Sequence, residues 1–563
     1  MNNKVNIKKI RFNDNTEIGF NNDDIVLFVG ANNVGKSRTI KDIKYDMDED
    51  TINKKIIVKD IEYDVNLDND FLYDYFTKHF PTDGHDNFIV NNSLGTFYFH
   101  KQEILKKPLN SKYFLKLFYT FLSTGNRLNL SEDISYQRQV DNSNLNILNK
   151  LDTSDEMLNK VNKYLLDSFN TGVCVYDDHY TQNVRRMYKI GTSEEINEIL
   201  ESKKNDSIEK SKKLLKLCEQ GDGIRSAFAT LSSLIVSDCF LFLIDEPETF
   251  LHPPQAKVLG NNIVEISKGK QCFISTHSID FIKGILEKDA SRVKIVKIDR
   301  DGDINHINLL GNDDISKISN DRNLRHTNIL NGLFYNQVLL CEDESDCKFY
   351  SSILEHLNTE VYQNTLFCAT GGKDKFKLLV PLLKSLGIKY KIITDLDFIN
   401  DNGKFSDLVK IIDGECDSIV EKHRAFIKIY QESANPTIEN KKEVCLKIKE
   451  LLEKDKGELY LEKETIDYIG ATLNKATVLG GLKKYGAKSI PSKCYELYEE
   501  INNYLTLINI FPLKCGEIEG LIPGIFGHGI KWVESAFEKY PDFDDKVYNE
   551  AKDFLKQVFN IVE

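Results

Sequence analysis

Two groups of residues could do phosphate chemistry, and they occur in a fixed order: a cassette from Gly30 to His277, then the acids Glu342, Asp346, Asp395 and Asp397. The apolar run IVLFVG leads into Gly30, Ala31, Asn32, Asn33, Val34, Gly35, Lys36 and Ser37, and TIKDIKYDM follows with helical spacing. A strand, a glycine loop and a helix together form the context in which backbone N–H groups and a helix N-terminus wrap a phosphate. Lys36 is placed to reach the β and γ phosphates and Ser37 to ligate Mg²⁺, so ATP is the expected ligand. Further on, four apolar residues precede Asp245 and Glu246 in LFLIDEPETFLHPPQ. A buried parallel strand would deliver both acids at its C-terminal end, Asp245 to Mg²⁺ and Glu246 to the attacking water. Another apolar strand, CFISTHS, ends at His277, where it could sense the γ-phosphate.

Three such strand ends in this order resemble the ABC-type ATPases, including their SMC branch. That resemblance implies a signature loop supplied by a second subunit. EQGDGIRSAFATLSSL stands at the right place, with Gly221, Gly223 and Ser226 opening a helix, although it departs from the LSGGQ pattern. On this reading the chain acts as a homodimer or higher homo-oligomer with ATP in the interface. A plain glycine turn before an amphipathic helix is the alternative. Gln137 and Gln139 are both candidates for the Q-loop. The stretch from about 70 to 215 reads as a partly helical insertion, with helical periodicity in Ser143–Phe169 and in Ser193–Leu217, a break at Asn205–Ser207, and a strand at GVCVYD. It has no heptad seam long enough for a long-armed SMC-type coiled coil.

Beyond about Ser319 the pattern changes. NQVLLC is an apolar strand ending at Glu342, with Asp346 four residues on, at the same side of the next helix. LFCATGG, an amphipathic helix and YKIITDLDF follow, the last ending at Asp395 and Asp397. This alternation predicts a parallel sheet with acids gathered at one edge, a hard oxygen site suited to Mg²⁺ or Mn²⁺. A first Glu, a Gly pair and a later DxD resemble the Toprim domain. Toprim placed after an ABC-type ATPase resembles the OLD (overcoming lysogenisation defect) family of ATP-dependent nucleases. The resemblance implies metal-dependent DNA cleavage in antiphage defence. It also implies a late Lys, Gly, Glu element, matched by FPLKCGEIEGLIP, with Lys514 stabilising charge on the phosphate and Glu519 as a metal ligand ahead of Glu517. The usual Glu-Gly opening is here Glu342-Asp343, which leaves the loop geometry open.

The expected fold is therefore α/β: an ABC-type P-loop ATPase domain with a helical insertion over 1–318, then a Toprim domain, a Rossmann-like parallel sheet, over 319–563 with a helical insertion at about 400–508. The lysines of GGLKKYGAKSIPSK are the best local candidates for phosphate-backbone contact. The expected activity is ATP hydrolysis coupled to metal-dependent DNA cutting by Glu342, Asp346, Asp395, Asp397 and Glu519. Rival readings are strand passage or primer synthesis on the same acids, a sensor or toxic effector restrained by a nucleic acid or a regulatory protein, and a DNA-repair ATPase of the SMC kind.

Composition bounds these readings. A chain of 563 residues, 41% of them hydrophobic, exceeds one core and calls for two or three domains. Net charge of −13 excludes a generally basic DNA-coating protein. Eleven cysteines without a CxxC pair argue for reduced thiols and not for zinc or disulfides. The opening MNNKVNIKKIRF has no signal-peptide core and no run suits a membrane, so a cytoplasmic protein is expected.

Overall fold

The computed structural model describes residues 3–561 apart from 50–51, 81, 84–86, 93–94, 103–111, 138–149, 152–153, 179–182, 203, 303, 312–314, 316–327, 434–440, 457–459, 476–479 and 526. The chain divides into two compact units, Met1–Thr327 and Asn328–Glu563. The boundary expected at 318/319 lies outside the described residues, as does Gln139. No described helix is long and apolar enough to cross a membrane.

The first unit is built on a six-stranded sheet in the order Ile304–Leu309, Val293–Asp301, Ile25–Val29, Gln271–Ser275, Leu241–Asp245, Tyr119–Leu122. All pairings are parallel except that of the outermost Ile304–Leu309. Ile25–Val29 and Gln271–Ser275 are buried along their whole length, as parallel strands covered on both faces are. A three-stranded antiparallel sheet, Glu17–Gly19, Lys4–Phe12 and Val58–Asn66, shares one core with the central strands: Ile7, Ile10 and Phe12 join Val26, Phe28 and Phe273.

The stretch from about 70 to 215 is less helical than its periodicity predicts. It contains strands Ile134–Gln137, Thr171–Asp178 and Asn183–Thr192, which pair antiparallel with one another and with Leu215–Lys216. Helix Asp155–Phe169 starts at Ser154, whose side chain accepts from the Met157 N–H, and residues 143–149 lie outside the described set. The charged segment after Thr192 breaks at Ser202, the C-cap of helix Ser193–Glu201, earlier than Asn205. A full capping box at Thr192 and Glu195 fixes where that helix begins.

The second unit holds an all-parallel sheet in the order Thr365–Ala369, Gln337–Cys341, Lys389–Thr394, Ile510–Pro512. Between the last two strands run helices Asn402–Ile412, Asp417–Glu432, Lys441–Lys454, Lys463–Lys475, Gly480–Tyr485 and Ser492–Leu507. Helices Glu344–Leu357, Ile530–Lys539 and Asn549–Phe559 enclose one core with Phe349, Tyr350, Trp532 and Leu555.

Candidate functional site

The glycine loop is shaped by contacts that no side chain could survive. Gly30 has φ +147°, and a Cβ there would stand 2.2 Å from the Ile298 carbonyl oxygen; at Gly35, φ +106°, it would stand 2.3 Å from Ile57 Cδ1. Helix Lys36–Met47 begins at Gly35 with no side-chain cap, leaving its first N–H groups for an external acceptor. Asn32 and Asn33 are exposed, while Ala31 and Val34 pack inward and Ser37 is half-buried. Lys36 Nζ donates to the carbonyls of Gly30 at 2.9 Å and Ala31 at 2.6 Å. Burial pulls its pKa down to about 8, against the opposing charges of Glu246, Glu248 and Asp245. A buried ammonium at an uncapped helix start fits a polyphosphate.

The strand ends beside it bring the predicted acids together. Ser275 Oγ donates to Asp245 Oδ1, and the Glu246 N–H donates to the Ser275 carbonyl at 3.1 Å. Glu246 has φ +47°, an uncommon conformation for a non-glycine residue and one that concentrates at working sites. His277 Nε2 lies 3.3 Å from Glu246 Oε1. Burial and then the Lys36 charge push the His277 pKa down to about 4, so the ring is neutral near pH 7.

Two residues that the sequence did not single out organise these strand ends. Arg127 is fully buried. Its guanidinium donates to the carbonyls of Leu122 at 3.0 Å, Asp245 at 2.6 Å and Glu246 at 2.8 Å, and to Ser226 Oγ at 2.8 Å. Glu248 Oε1 accepts from Thr276 Oγ1 at 2.7 Å and from the His277 N–H at 2.8 Å, while its buried Oε2 has no hydrogen-bond partner. The doubled acid of DEPE was the one available signal for it. Burial raises the Glu248 pKa from 4.5 to about 6. A raised folded-state pKa favours folding below pH 4.5, and that contribution is lost as pH rises through about 6. Glu248→Gln should therefore gain stability relative to the parent chain across this window, by about 2 kcal/mol at most. Urea melts at pH 4.5 and 6.5 check this.

Ser226 is a correction. It was expected at the surface, facing a partner's nucleotide, but it is fully buried and held by Arg127. The outward end of that helix, Asp222–Val236, is Gly221, with nothing near its missing Cβ, and Asp222. Gly223 sits against the neighbouring loop, where a Cβ would be 2.7 Å from the Phe250 carbonyl. Gln137 ends the strand Ile134–Gln137.

In the second unit the four predicted acids gather at the C-terminal edge of the sheet. Glu342 Oε1 accepts from Thr394 Oγ1 at 2.6 Å and from the Asp395 N–H at 2.9 Å, which fixes the end of one strand against the next. Gly371 and Gly372, both at positive φ, donate their N–H groups to the Glu342 carbonyl. Asp343 has φ −130° and ψ 168°, extended backbone that any residue adopts, so the missing glycine changes nothing. It serves as N-cap of helix Glu344–Leu357 in a capping box with Asp346, whose Oδ2 accepts from its N–H at 3.1 Å.

Burial raises the proton affinity of two of these carboxylates, Asp395 and Asp346. Burial, followed by the Glu342 charge, pushes the Asp395 pKa up to about 8, and burial pushes Asp346 up to about 6. Cations are drawn in: Lys373 pairs with Asp397 and lies 3.7 Å from Glu342, and Lys483 Nζ lies 3.4 Å from Asp395 Oδ2. Beside them, one ligand atom each from Glu517, Glu519 and His528 falls within 4.8 Å of the others, with His528 Nδ1 2.6 Å from Glu519 Oε1. Acids that recruit ammonium groups in this density fit divalent cations. Lys514 departs from expectation. It is exposed and is one of the residues lining a cavity of about 210 Å³ with Glu550 and Asp553, and among the described residues the lysines paired with these acids are Lys373 and Lys483.

Comparison with known families gives these edges a context. Residues 333–397 match the family described as "Overcoming lysogenization defect protein-like, TOPRIM domain", and residues 25–282 match "AAA domain, putative AbiEii toxin, Type IV TA system". The chain thus carries a segment that matches an AAA-type ATPase domain, followed by one that matches an OLD-like Toprim domain. Among curated relatives, Old nuclease of Escherichia phage P2 is 26% identical over 32% of the chain and 31% of that protein. Endonuclease GajA of Bacillus cereus (strain VD045) is 28% identical over 29% of the chain and 27% of that protein. The matched part thus spans less than a third of either relative. A solved SMC head domain from Thermotoga maritima, 13% identical, aligns over 55% of this chain and 98% of its own with a TM-score of 0.25, too low to carry an argument.

Proposed function

We propose that the chain is a divalent-metal-dependent DNA endonuclease gated by ATP, acting in antiphage defence. The observation that carries this reading is the convergence of Glu342, Asp346, Asp395 and Asp397 on one sheet edge, with Lys373 and Lys483 drawn in among them. The names of the curated relatives, a nuclease and an endonuclease, agree with it.

In this reading Glu342, Asp346, Asp395, Asp397 and Glu519 hold Mg²⁺ or Mn²⁺. Such ions supply a water of lowered pKa and neutralise charge on the phosphodiester. The protein's part is geometric: Thr394 and the Asp395 N–H orient Glu342, the Asp343 N–H orients Asp346, and the Gly529 N–H, 3.0 Å from Glu519 Oε1, orients Glu519. In the ATPase domain, Lys36 and the loop amides bind phosphates, Ser37 and Asp245 hold Mg²⁺, and Glu246 orients the attacking water beside the neutral His277. The exposed helix start at Gly221 is the face offered to a second copy of the chain, so ATP closes a homodimer and its hydrolysis reopens it.

The direct test is supercoiled plasmid incubated with the purified chain. Nicked or linear product is expected with Mg²⁺ or Mn²⁺ and none with EDTA; intact plasmid under every metal and nucleotide condition would refute the nuclease reading.

A further inference from the structure

The strand end at Glu246 is held on both sides of one residue. Glu246 sits at φ +47°, a conformation that costs a non-glycine residue free energy and persists only where its surroundings over-determine it. Its N–H donates to the Ser275 carbonyl at 3.1 Å and to Ser275 Oγ at 3.2 Å. Its carbonyl accepts from Arg127 Nη2 at 2.8 Å, from Thr249 Oγ1 at 2.9 Å and from the Thr249 N–H at 3.1 Å. The preceding carbonyl, that of Asp245, accepts from Arg127 Nη1 at 2.6 Å. Ser275 belongs to the neighbouring strand and Thr249 to the loop itself, whereas Arg127 comes from another segment of the chain.

That segment is the helix Thr124–Leu130, in which Arg127 is fully buried. Its planar guanidinium spreads its donors over the carbonyls of Leu122, Asp245 and Glu246 and the hydroxyls of Ser226, at 2.8 Å, and Thr124, at 3.4 Å. A second arginine works in the opposite direction. Arg225, on helix Asp222–Val236, donates to Ser131 Oγ at 2.9 Å, to the Leu128 carbonyl at 3.2 Å and to Asp222 Oδ1 at 3.0 Å, and pairs with Glu132. Each helix is therefore pinned by an arginine of the other: Arg225 near the exposed start of Asp222–Val236, Arg127 at Ser226, deeper in the same helix. Movement of that helix start has a continuous run of hydrogen bonds to the Glu246 peptide.

We propose that Arg127 is a positioning residue for ATP hydrolysis: it holds the Asp245 and Glu246 carbonyls so that the Glu246 carboxylate meets the attacking water, and through Ser226 it ties that geometry to the helix start offered to a second copy of the chain. The inference rests on the reading of Glu246 as the residue that orients the water. Arg127 acts through the Glu246 peptide and not on the nucleotide. Lysine at this position keeps the charge, but its single nitrogen cannot bridge Ser226 and both carbonyls.

The test compares full-length Arg127→Lys, Ser226→Ala, Glu246→Gln and the two doubles that add Glu246→Gln, for single-turnover ATP hydrolysis and for ATP affinity by equilibrium binding. Arg127→Lys is expected to slow hydrolysis about 100-fold, with ATP bound within about twofold of the parent, because a small misplacement of a water-orienting group suffices for such a loss. Ser226→Ala, which removes one hydrogen bond, should slow it about fivefold. Added to Glu246→Gln, either change should cost less than about twofold, since the residue through which it acts is already disabled. Losses that multiply in full with that of Glu246→Gln, or an equal loss of ATP affinity, would overturn the assignment. Parental hydrolysis by either single variant would also overturn it, and Ser226→Ala decides alone where Arg127→Lys does not fold. Parental hydrolysis by Glu246→Gln would instead remove the reading of Glu246, and this role of Arg127 with it.

Discussion

Replacing Asp395 and Asp397 together with Ala should lower plasmid cutting by on the order of 10³-fold while leaving ATP turnover within about twofold of the parent rate. The separation is expected because the two candidate sites lie in different compact units, Met1–Thr327 and Asn328–Glu563. Loss of folding is not the expected cause. Asp395 is a buried acid whose proton affinity is raised by burial and by Glu342, so removing it relieves repulsion. The double change removes one carboxylate partner from each of Lys373 and Lys483, leaving Glu342 and Glu517, and the Asn pair, which keeps hydrogen-bonding capacity, is the control. Cutting that persists in both double variants would mean that the acids at this edge do not perform the cleavage. Loss of ATP turnover alongside cutting would mean that the second unit is needed for hydrolysis.

The second large effect is expected at Glu246. Glu246→Gln should slow ATP hydrolysis by about 10²- to 10³-fold, because the amide cannot take a proton from the attacking water. Binding should survive: Lys36 remains, with Asp245 and Glu248 still offsetting the cost of its burial. The backbone should survive too. Gln is unbranched at Cβ, as Glu is, and the N–H bond to Ser275 and the carbonyl bond from Arg127 do not involve the side chain. A filter assay for retained ATP, with light scattering for the trapped dimer, reads both consequences. Unchanged turnover would move the water-orienting role to another group on these strand ends, with Glu248 the next acid in reach of the Lys36 field.

What could be read from sequence is what physics makes local. The P-loop, Asp245, Glu246 and the acids at Glu342, Asp395 and Asp397 all sit where an apolar strand ends, and a buried parallel strand announces itself as an unbroken apolar run. Thr171–Asp178 was legible as a strand in GVCVYD, but its antiparallel partner Asn183–Thr192 was harder, since one face of an antiparallel sheet can meet water and the apolar signal halves. Arg127 is invisible in TGNRLNL, because its importance comes from carbonyls 118 and 119 residues away. Lys483 was visible only as one of several lysines in a basic stretch; what distinguishes it is the close approach permitted by Gly516. Ser226 shows the converse: adjacency to a recognised motif placed it at the site in sequence, and burial against Arg127 took it away. The Glu342-Asp343 departure proved harmless for a reason that no pattern contains, the extended φ of Asp343.

The most direct measurement is a Mn²⁺ titration of the full-length chain without nucleotide, followed by electron paramagnetic resonance. Saturable binding of about two ions is predicted from the number of metals this reaction class employs. It should fall away in the chain carrying Asp395→Asn and Asp397→Asn and persist in Lys36→Ala. Absence of binding in the parent, or binding that the two Asn changes leave untouched, would contradict the claim that these carboxylates form a metal site.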